Sequence, residues 1–254
     1  LEKLHPEHEF SVLDTGQKIK AFEKDFSAAK EAVENAELII FSYPVYTFIA
    51  PCQLHRFIEL MKENGVLTEG KFVTQFSTSK HFYDITAHNY IRDNCFDMGM
   101  KYIRGLSADM DDLLSEKGQK EAREFFDFVI WNTENNFFGT APEKSSAPKN
   151  IPVSVPENSG EEKSGDVVII TDCEPENKQL ESMINRFSTV FSRKTRVINI
   201  REYPFSGGCL GCFNCAVSGK CVYKDGFDEF LRNEVQTGEA IVVAFSIKDH
   251  SMGA

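Results

Sequence analysis

The chain has 254 residues, of which 41% are hydrophobic and 26% are charged, and its formal net charge is −11 at pH 7. This composition is typical of a globular protein and argues against wholesale disorder. The acidic charge, with no dense run of lysine and arginine, makes a nucleic acid or an anionic membrane surface a poor partner. The sequence therefore predicts neither kind of partner.

The amino-terminal residues are polar and acidic and lack the apolar segment of a secretory signal. The most apolar stretch, residues 38–51, is too short to span a bilayer and contains two prolines. Of the seven cysteines, four lie between positions 209 and 221. Without an export signal, such a cluster indicates metal binding or redox chemistry rather than disulfides, so we predict a cytoplasmic protein.

A change of composition divides the chain into two parts. Residues 139–165 contain four of the nine prolines and show no apolar periodicity, which is typical of a flexible linker. We therefore predict one unit over residues 1–138 and a second over residues 166–254.

The first unit alternates strand and helix patterns along the chain. The predicted strands cover residues 10–13, 38–42, 71–77 and 102–106, and apolar stripes at helical spacing predict the intervening and final helices. Pro51 is placed to open one of these helices. The stripes consist of Phe22, Phe26, Ala29 and Val33; Leu54, Phe57, Ile58 and Met61; Ala87, Tyr90, Ile91 and Met98; and Ala122, Phe125, Phe126, Val129 and Ile130. This alternation predicts an α/β fold with a doubly wound parallel sheet.

The second unit begins in the same way. Strands are predicted over residues 167–171, 196–200 and 241–246, with one helix after the first strand and a short one around residues 227–231. Residues 36–42 and 240–246 also resemble each other, which suggests a weak internal repeat. The interval from Asp14 to Ser42 is 28 residues, whereas that from Ile200 to Ser246 is 46, and the longer interval holds the four clustered cysteines.

Those cysteines, Cys209, Cys212, Cys215 and Cys221, follow the spacing C-x2-C-x2-C-x5-C. Three thiolates at this spacing can surround one face of a [4Fe–4S] cluster, and the fourth can close the cage. Structural zinc is an alternative, although zinc sites usually pair two separate cysteine hooks. Four free thiols are a second alternative. The remaining cysteines are scattered, and Cys95 is expected to be a small buried apolar residue.

Two predicted strand ends in the first unit carry hydroxyl and aromatic groups. Ligands of doubly wound sheets lie beyond the carboxyl ends of the strands. A flavin ring needs flat apolar cover together with groups that hydrogen-bond its polar edge, and both turns offer that mixture. The candidate flavin contacts are Ser42, Tyr43, Pro44, Val45 and Tyr46 in the first turn and Ser77, Thr78 and Ser79 in the second, which continues to Tyr83. Ordinary surface turns are the alternative, and no Ser/His/Asp constellation is recognisable from the spacing.

Taken together, these residues resemble the flavodoxin-like NAD(P)H-dependent FMN reductases, and among them the iron–sulfur flavoproteins. The cysteine motif, an acidic stretch that Asp225 and Asp228 roughly match, and the turn at residues 42–46 carry the resemblance. It implies a flavodoxin-like fold in two tandem units, with FMN and a [4Fe–4S] cluster as cofactors and NAD(P)H as co-substrate.

The sequence departs from this family where the FMN phosphate should bind. The first unit has no first strand followed by a Ser/Thr/Gly-rich loop, and the second unit has the acidic segment 172–177 in that place, which would repel a phosphate. The absent initiator methionine and the early end of the second unit suggest a fragment truncated at one or both ends.

We therefore expect a division of labour, with a flavin in the first unit and a cluster in the second. The activity would be NAD(P)H-dependent electron transfer to a small-molecule or protein acceptor, in a possible homo-oligomer. One alternative is an FMN-dependent quinone, nitro or azo reductase without a cluster. Another is a non-catalytic redox sensor or electron carrier.

Overall fold

The computed structural model describes residues 2, 5–46, 48–80, 83–142, 163–210 and 212–252. It divides into two compact units, residues 1–143 and 144–254. Within the described ranges, no helix combines the length and the apolar character needed to cross a membrane.

The first unit is built on a parallel sheet. Its strands are β1 (Leu38–Pro44), β2 (Phe72–Ser79), β3 (Lys101–Tyr102) and β4 (Leu106–Asp109). β2 is central, with β1 on one side and β3 and β4 on the other. The interior of β2 is buried because helices cover both faces of such a sheet.

Five helices accompany this sheet: α1 (Thr15–Phe22), α2 (Ser27–Asn35), α3 (Cys52–Glu63), α4 (Ile85–Asp97) and α5 (Glu116–Glu134). The predicted stripe of α3 is confirmed, since Leu54, Phe57, Ile58 and Met61 are all buried. Pro51 occupies the N-cap of that helix. Cys95 is fully buried on α4, as expected for a small apolar residue.

The predicted strand at residues 10–13 was wrong. These residues form no strand, and Val12 is 85% exposed. A strand requires a hydrogen-bonded neighbour, and here Asp14 instead caps α1 by accepting a hydrogen bond from the Gln17 N–H (3.0 Å). The first predicted stripe, which was assigned to one helix, is also divided: Phe22 ends α1, whereas Ala29 and Val33 lie on α2.

The predicted strand at residues 102–106 is interrupted. Val73 pairs with Tyr102 and Phe76 with Leu106, so the outer strand has one more residue than β2 over this interval. The extra residue is accommodated as a bulge between β3 and β4. Gly105 lies there because a Cβ at this position would come within 2.6 Å of the Gln75 carbonyl oxygen.

The second unit has its own parallel sheet, with β5 (Val167–Thr171) between β6 (Thr195–Asn199) and β7 (Ala240–Ala244). Its helices are α6 (Lys178–Val190), α7 (Asn214–Ser218) and α8 (Phe227–Phe230), the last continuing into a π-helical turn, Leu231–Val235. The order β6-β5-β7 corresponds to strands 2-1-3 of the flavodoxin-like order 2-1-3-4-5. A short antiparallel pair, β8 (Ile247–Lys248) and β9 (Ser251–Met252), follows.

Most of the predicted linker, residues 143–162, lies outside the described residues. Its two borders contact the adjacent units. The Gly139 N–H donates to the Tyr102 carbonyl (2.8 Å) in the first unit, and the Lys194 N–H donates to the Ser164 carbonyl (3.1 Å) in the second.

Candidate functional site

The two predicted flavin turns lie side by side at the carboxyl edge of the first sheet. Tyr43 is in register with Ser77 and Pro44 with Thr78, and the Val45 N–H donates to the Thr78 carbonyl (2.9 Å). Parallel strands end at a common edge, so residues separated by more than thirty positions meet here. Residues 47, 81 and 82, which also belong to these turns, lie outside the described residues.

The eight candidate contacts differ in what they present to a ligand. Ser42, Pro44 and Tyr46 are exposed, Val45 and Thr78 are half-buried, and Tyr43, Ser77 and Ser79 are buried. The Tyr43 hydroxyl donates to the Gln75 side-chain oxygen (2.5 Å), and burial raises the pKa of this tyrosine. Its side chain is therefore committed to the interior, as is that of Ser77.

Ser79, the last residue of β2, is different. The residue is 2% exposed, and its hydroxyl has no hydrogen-bond partner among the described residues. A buried hydroxyl without a partner is costly, and such groups are rare unless a ligand or water completes them. This unsatisfied group, at the edge where ligands of such sheets bind, fits the polar edge of a flavin ring.

An aromatic surface lies beside these strand ends. Phe48 is 53% exposed and its ring centroid is 5.7 Å from that of Tyr83. Phe48 also has a φ of 73°, an unfavourable backbone conformation for a residue with a side chain, and its carbonyl accepts a hydrogen bond from the Ala87 N–H (3.2 Å). The turn after β1 is thereby tied to the start of α4, and the exposed rings fit flat aromatic cover.

The structure brings together a Ser/His/Asp group near this edge that was not recognisable from the sequence. The Ser77 hydroxyl donates to Asp84 Oδ2 (2.9 Å) and lies 2.8 Å from His88 Nε2. Burial lowers the pKa of His88, although Asp84 opposes that shift. The spacing of Asp84 and His88 by four residues was the one available signal, but nothing local linked them to Ser77 on β2.

The cysteine motif of the second unit lies on an exposed segment. Cys209, Cys212 and Cys215 are exposed and Cys221 is half-buried. Within the described part of the chain, no three His, Cys, Asp or Glu side chains are grouped to hold a metal ion. The donor chemistry suits a cluster, but the thiols are not assembled into a cage, and we assign no electron-transfer step to one.

Four aromatic side chains on either side of the cysteine segment pack together. The rings of Tyr203, Phe205, Phe227 and Phe230 contact one another with centroids 4.7–5.9 Å apart. Asp225 accepts hydrogen bonds from the N–H groups of Ser206 (2.9 Å) and Phe227 (3.2 Å), which lower its pKa. One residue of the predicted acidic stretch therefore joins the two ends of the segment.

In the second unit, the loop after β5, where a phosphate would be expected to bind, is engaged in hydrogen bonds within the unit. Asp172 is 1% exposed and accepts hydrogen bonds from the Ser246 N–H (2.8 Å) and hydroxyl (2.6 Å). Asn177 caps α6 by accepting from the Leu180 N–H (3.1 Å). With a buried carboxylate here and the Leu180 N–H already capped, this edge does not fit a phosphate.

Comparison with known proteins bears on the first unit. Residues 2–111 match the family model described as NADPH-dependent FMN reductase. The match ends before the cysteine segment, and no curated protein matches the chain. The parallel α/β sheet, the ligand edge with its unsatisfied serine and the family match agree with one another. Residues 2–111 are thus similar to the NADPH-dependent FMN reductases.

Proposed function

We propose that the first unit binds FMN at the carboxyl ends of β1 and β2 and that the protein is an NAD(P)H-dependent oxidoreductase. The observation that carries this proposal is the buried Ser79 hydroxyl, which has no partner in the part of the chain that the structure describes and lies at the ligand edge of a unit that matches FMN reductases. Bound FMN would accept a hydride and pass electrons on singly or in pairs.

The residues of this edge have distinct proposed roles. Ser79 would hydrogen-bond the polar edge of the ring, and Pro44, Val45, Tyr46 and Thr78 would supply cover and backbone groups. Tyr43 and Ser77 would act through their backbones, because their side chains are engaged in the interior. Among the described residues of this unit, no Ser/Thr/Gly-rich loop follows a strand to hold a phosphate, so the proposal concerns the flavin ring.

The test is a titration of the purified chain with FMN and with riboflavin, followed by flavin fluorescence. We expect both flavins to bind with similar affinity, since the phosphate has no loop here, and we expect bound FMN to support oxidation of NADH or NADPH with ferricyanide or a quinone. Absence of saturable binding by either flavin would overturn the proposal.

The second part of the proposal is a [4Fe–4S] cluster on Cys209, Cys212, Cys215 and Cys221. Their spacing and their accessible thiols support it, whereas their separation in the structure does not. Anaerobic reconstitution with iron and sulfide, followed by metal and acid-labile sulfide analysis, tests it. About four irons and four sulfides per chain are expected. Zinc, or no metal, would leave the flavin-dependent quinone, nitro or azo reductase without a cluster.

A non-catalytic sensor or carrier is the remaining alternative. It predicts flavin or cluster binding without oxidation of NADH or NADPH by any acceptor. The same purified protein therefore separates the three functions, because cofactor content and turnover are measured independently.

A further inference from the structure

A layer of buried polar side chains lies between the sheet of the first unit and α4. The Gln75 side-chain nitrogen donates to the Tyr102 hydroxyl and to the His88 carbonyl (3.0 Å), while its oxygen accepts from Tyr43. Next to Gln75 on the same face of β2, Ser77 contacts Asp84 and His88. The layer thus extends from the middle of β2 to its carboxyl end.

Asp84 joins three elements of this layer. Its Oδ2 accepts hydrogen bonds from the Ser77 hydroxyl on β2 (2.9 Å) and from the Ser107 hydroxyl on β4, and it lies 3.4 Å from His88 Nε2 on α4. The Asp84 side chain is only 7% exposed. One carboxylate oxygen therefore connects two adjacent strands and the helix that covers them.

The tautomer of His88 follows from these contacts. A serine hydroxyl has a single hydrogen, and that of Ser77 is directed to Asp84, so His88 Nε2 must carry the hydrogen that joins it to Ser77. Burial lowers the pKa of His88, although Asp84 opposes that shift. In this tautomer the imidazole serves as a hydrogen-bond donor to Ser77.

The carboxylate of Asp84 is compensated by hydroxyl donors and not by a lysine or arginine among the described residues. Moving a carboxylate away from water is costly unless a cation or several donors compensate it. Among the described residues, no lysine or arginine lies within ion-pair distance of Asp84, and His88 is the one basic side chain that does.

The carboxylate of Asp84 lies next to the strand ends at which flavin binding is proposed. Ser77 is in register with Tyr43 on β1 and with Ser107 on β4, and Thr78 and Ser79 follow it directly. We propose that Asp84 is a positioning residue for the flavin site, which fixes the ends of β2 and β4 and places a negative charge beside the bound ring. This inference rests on the FMN site proposed above and assigns a residue to its control.

Two consequences follow for a bound flavin. The hydrogen bonds to Ser77 and Ser107 hold the backbone of Thr78 and Ser79 at one spacing, which favours binding by reducing the ordering that a ligand must impose. A buried negative charge disfavours additional negative charge nearby, and a reduced flavin carries more negative charge than an oxidised one. Asp84 should therefore lower the reduction potential of bound FMN.

The experiment compares four variants of the full chain. Asp84→Asn removes the charge while keeping the shape, Ser107→Ala removes one hydrogen bond, and Ser107→Thr restores a hydroxyl. The matched control is Thr68→Val, which removes another buried hydroxyl, donated to the Met98 carbonyl (2.8 Å), at the opposite end of the sheet. FMN affinity is measured by fluorescence titration and the reduction potential by titration against a reference dye.

We expect Asp84→Asn to weaken FMN binding by about tenfold and to raise the reduction potential. Ser107→Ala should weaken binding by a smaller factor, and Ser107→Thr should recover it. If Asp84→Asn and Ser107→Ala match the Thr68→Val control in both affinity and potential, Asp84 has no positioning role and the FMN proposal stands. If the unaltered chain binds no flavin, both proposals fail together. Should Asp84→Asn not fold, the Ser107 pair decides the question.

Discussion

The two units share a parallel sheet architecture but differ in how the polar groups at the carboxyl ends of their strands are hydrogen-bonded. In the first unit, the strand end leaves the Ser79 hydroxyl buried without a partner among the described residues, and exposed rings such as Phe48 lie beside it. In the second unit, Asp172 accepts both the N–H and the hydroxyl of Ser246, and the adjacent helix carries its own cap. A sheet edge can bind a ligand only where the chain leaves polar groups for it.

The cysteines provide the largest expected contrast between the units. Cys209, Cys212 and Cys215 are exposed, whereas Cys95 is fully buried and burial raises its pKa. In metal-free protein, we expect iodoacetamide to modify the three exposed thiols on the order of 100-fold faster than Cys95. Peptide mass spectrometry over a time course measures these rates, and unfolding in guanidinium should abolish the difference. Equal rates in the folded protein would show that Cys95 is accessible.

The second unit should lose stability when the Asp172 carboxylate at its strand ends is removed. Asp172→Ala removes two hydrogen bonds from Ser246 inside the protein, and we expect a loss of about 2–3 kcal/mol in the stability of that unit. Hydrogen exchange of the β5 amides measures the effect. Glu176→Ala, which removes an exposed carboxylate from the same loop, is the control and should change little. Similar effects for both variants would contradict the role given to Asp172.

In the first unit, loss of the Ser79 hydroxyl should not reduce stability. Ser79→Ala removes a hydroxyl that has no partner among the described residues, so we expect the stability to stay the same or increase while FMN affinity falls by about two- to tenfold. The single tryptophan, Trp131, lies in the first unit and its fluorescence reports unfolding. Ser188→Ala removes a buried hydroxyl of the second unit that likewise has no partner in the described ranges, and it should leave FMN affinity unchanged. Unchanged affinity in Ser79→Ala would remove the main support for the flavin site.

A smaller effect concerns acid stability of the first unit. His55 is stacked on Tyr90 with ring centroids 3.8 Å apart, and burial lowers its pKa from 6.5 to about 4. The unfolded chain therefore binds a proton more readily than the folded one, so stability present above pH 6.5 is lost as the pH falls towards 4. His55→Phe keeps the stacked ring and should reduce the slope of the Trp131 unfolding midpoint against pH in this range. An unchanged slope would mean that other groups, such as His88, account for the pH dependence.

Much of the fold could be predicted from local patterns. The continuous apolar run at residues 38–42 and the stripe of α3 identified a buried strand and an amphipathic helix, because both periodicities are visible within one element. The strand predicted at residues 10–13 failed for the complementary reason. Its pattern was local, but a strand also needs a neighbour, and the chain supplies none there.

The candidate site was only partly visible in this way. The hydroxyls and rings of the two turns could be recognised because strand ends of parallel sheets share one edge. The direction of each side chain could not be predicted. Tyr43 and Ser77 are directed into the interior, while the Ser79 hydroxyl has no partner within the described part of the chain. These outcomes depend on what packs against each residue and not on its own type.

The sequence by itself determined the strand and helix pattern and the spacing of the four cysteines, since those properties depend on residues close together in the chain. Tertiary structure alone decided that Asp84 would meet Ser77 and Ser107, and that Asp172 would bind Ser246, 74 positions away. Such hydrogen bonds depend on how the sheet places distant residues side by side, and they distinguish a strand end with an unsatisfied hydroxyl from one whose carboxylate is already engaged.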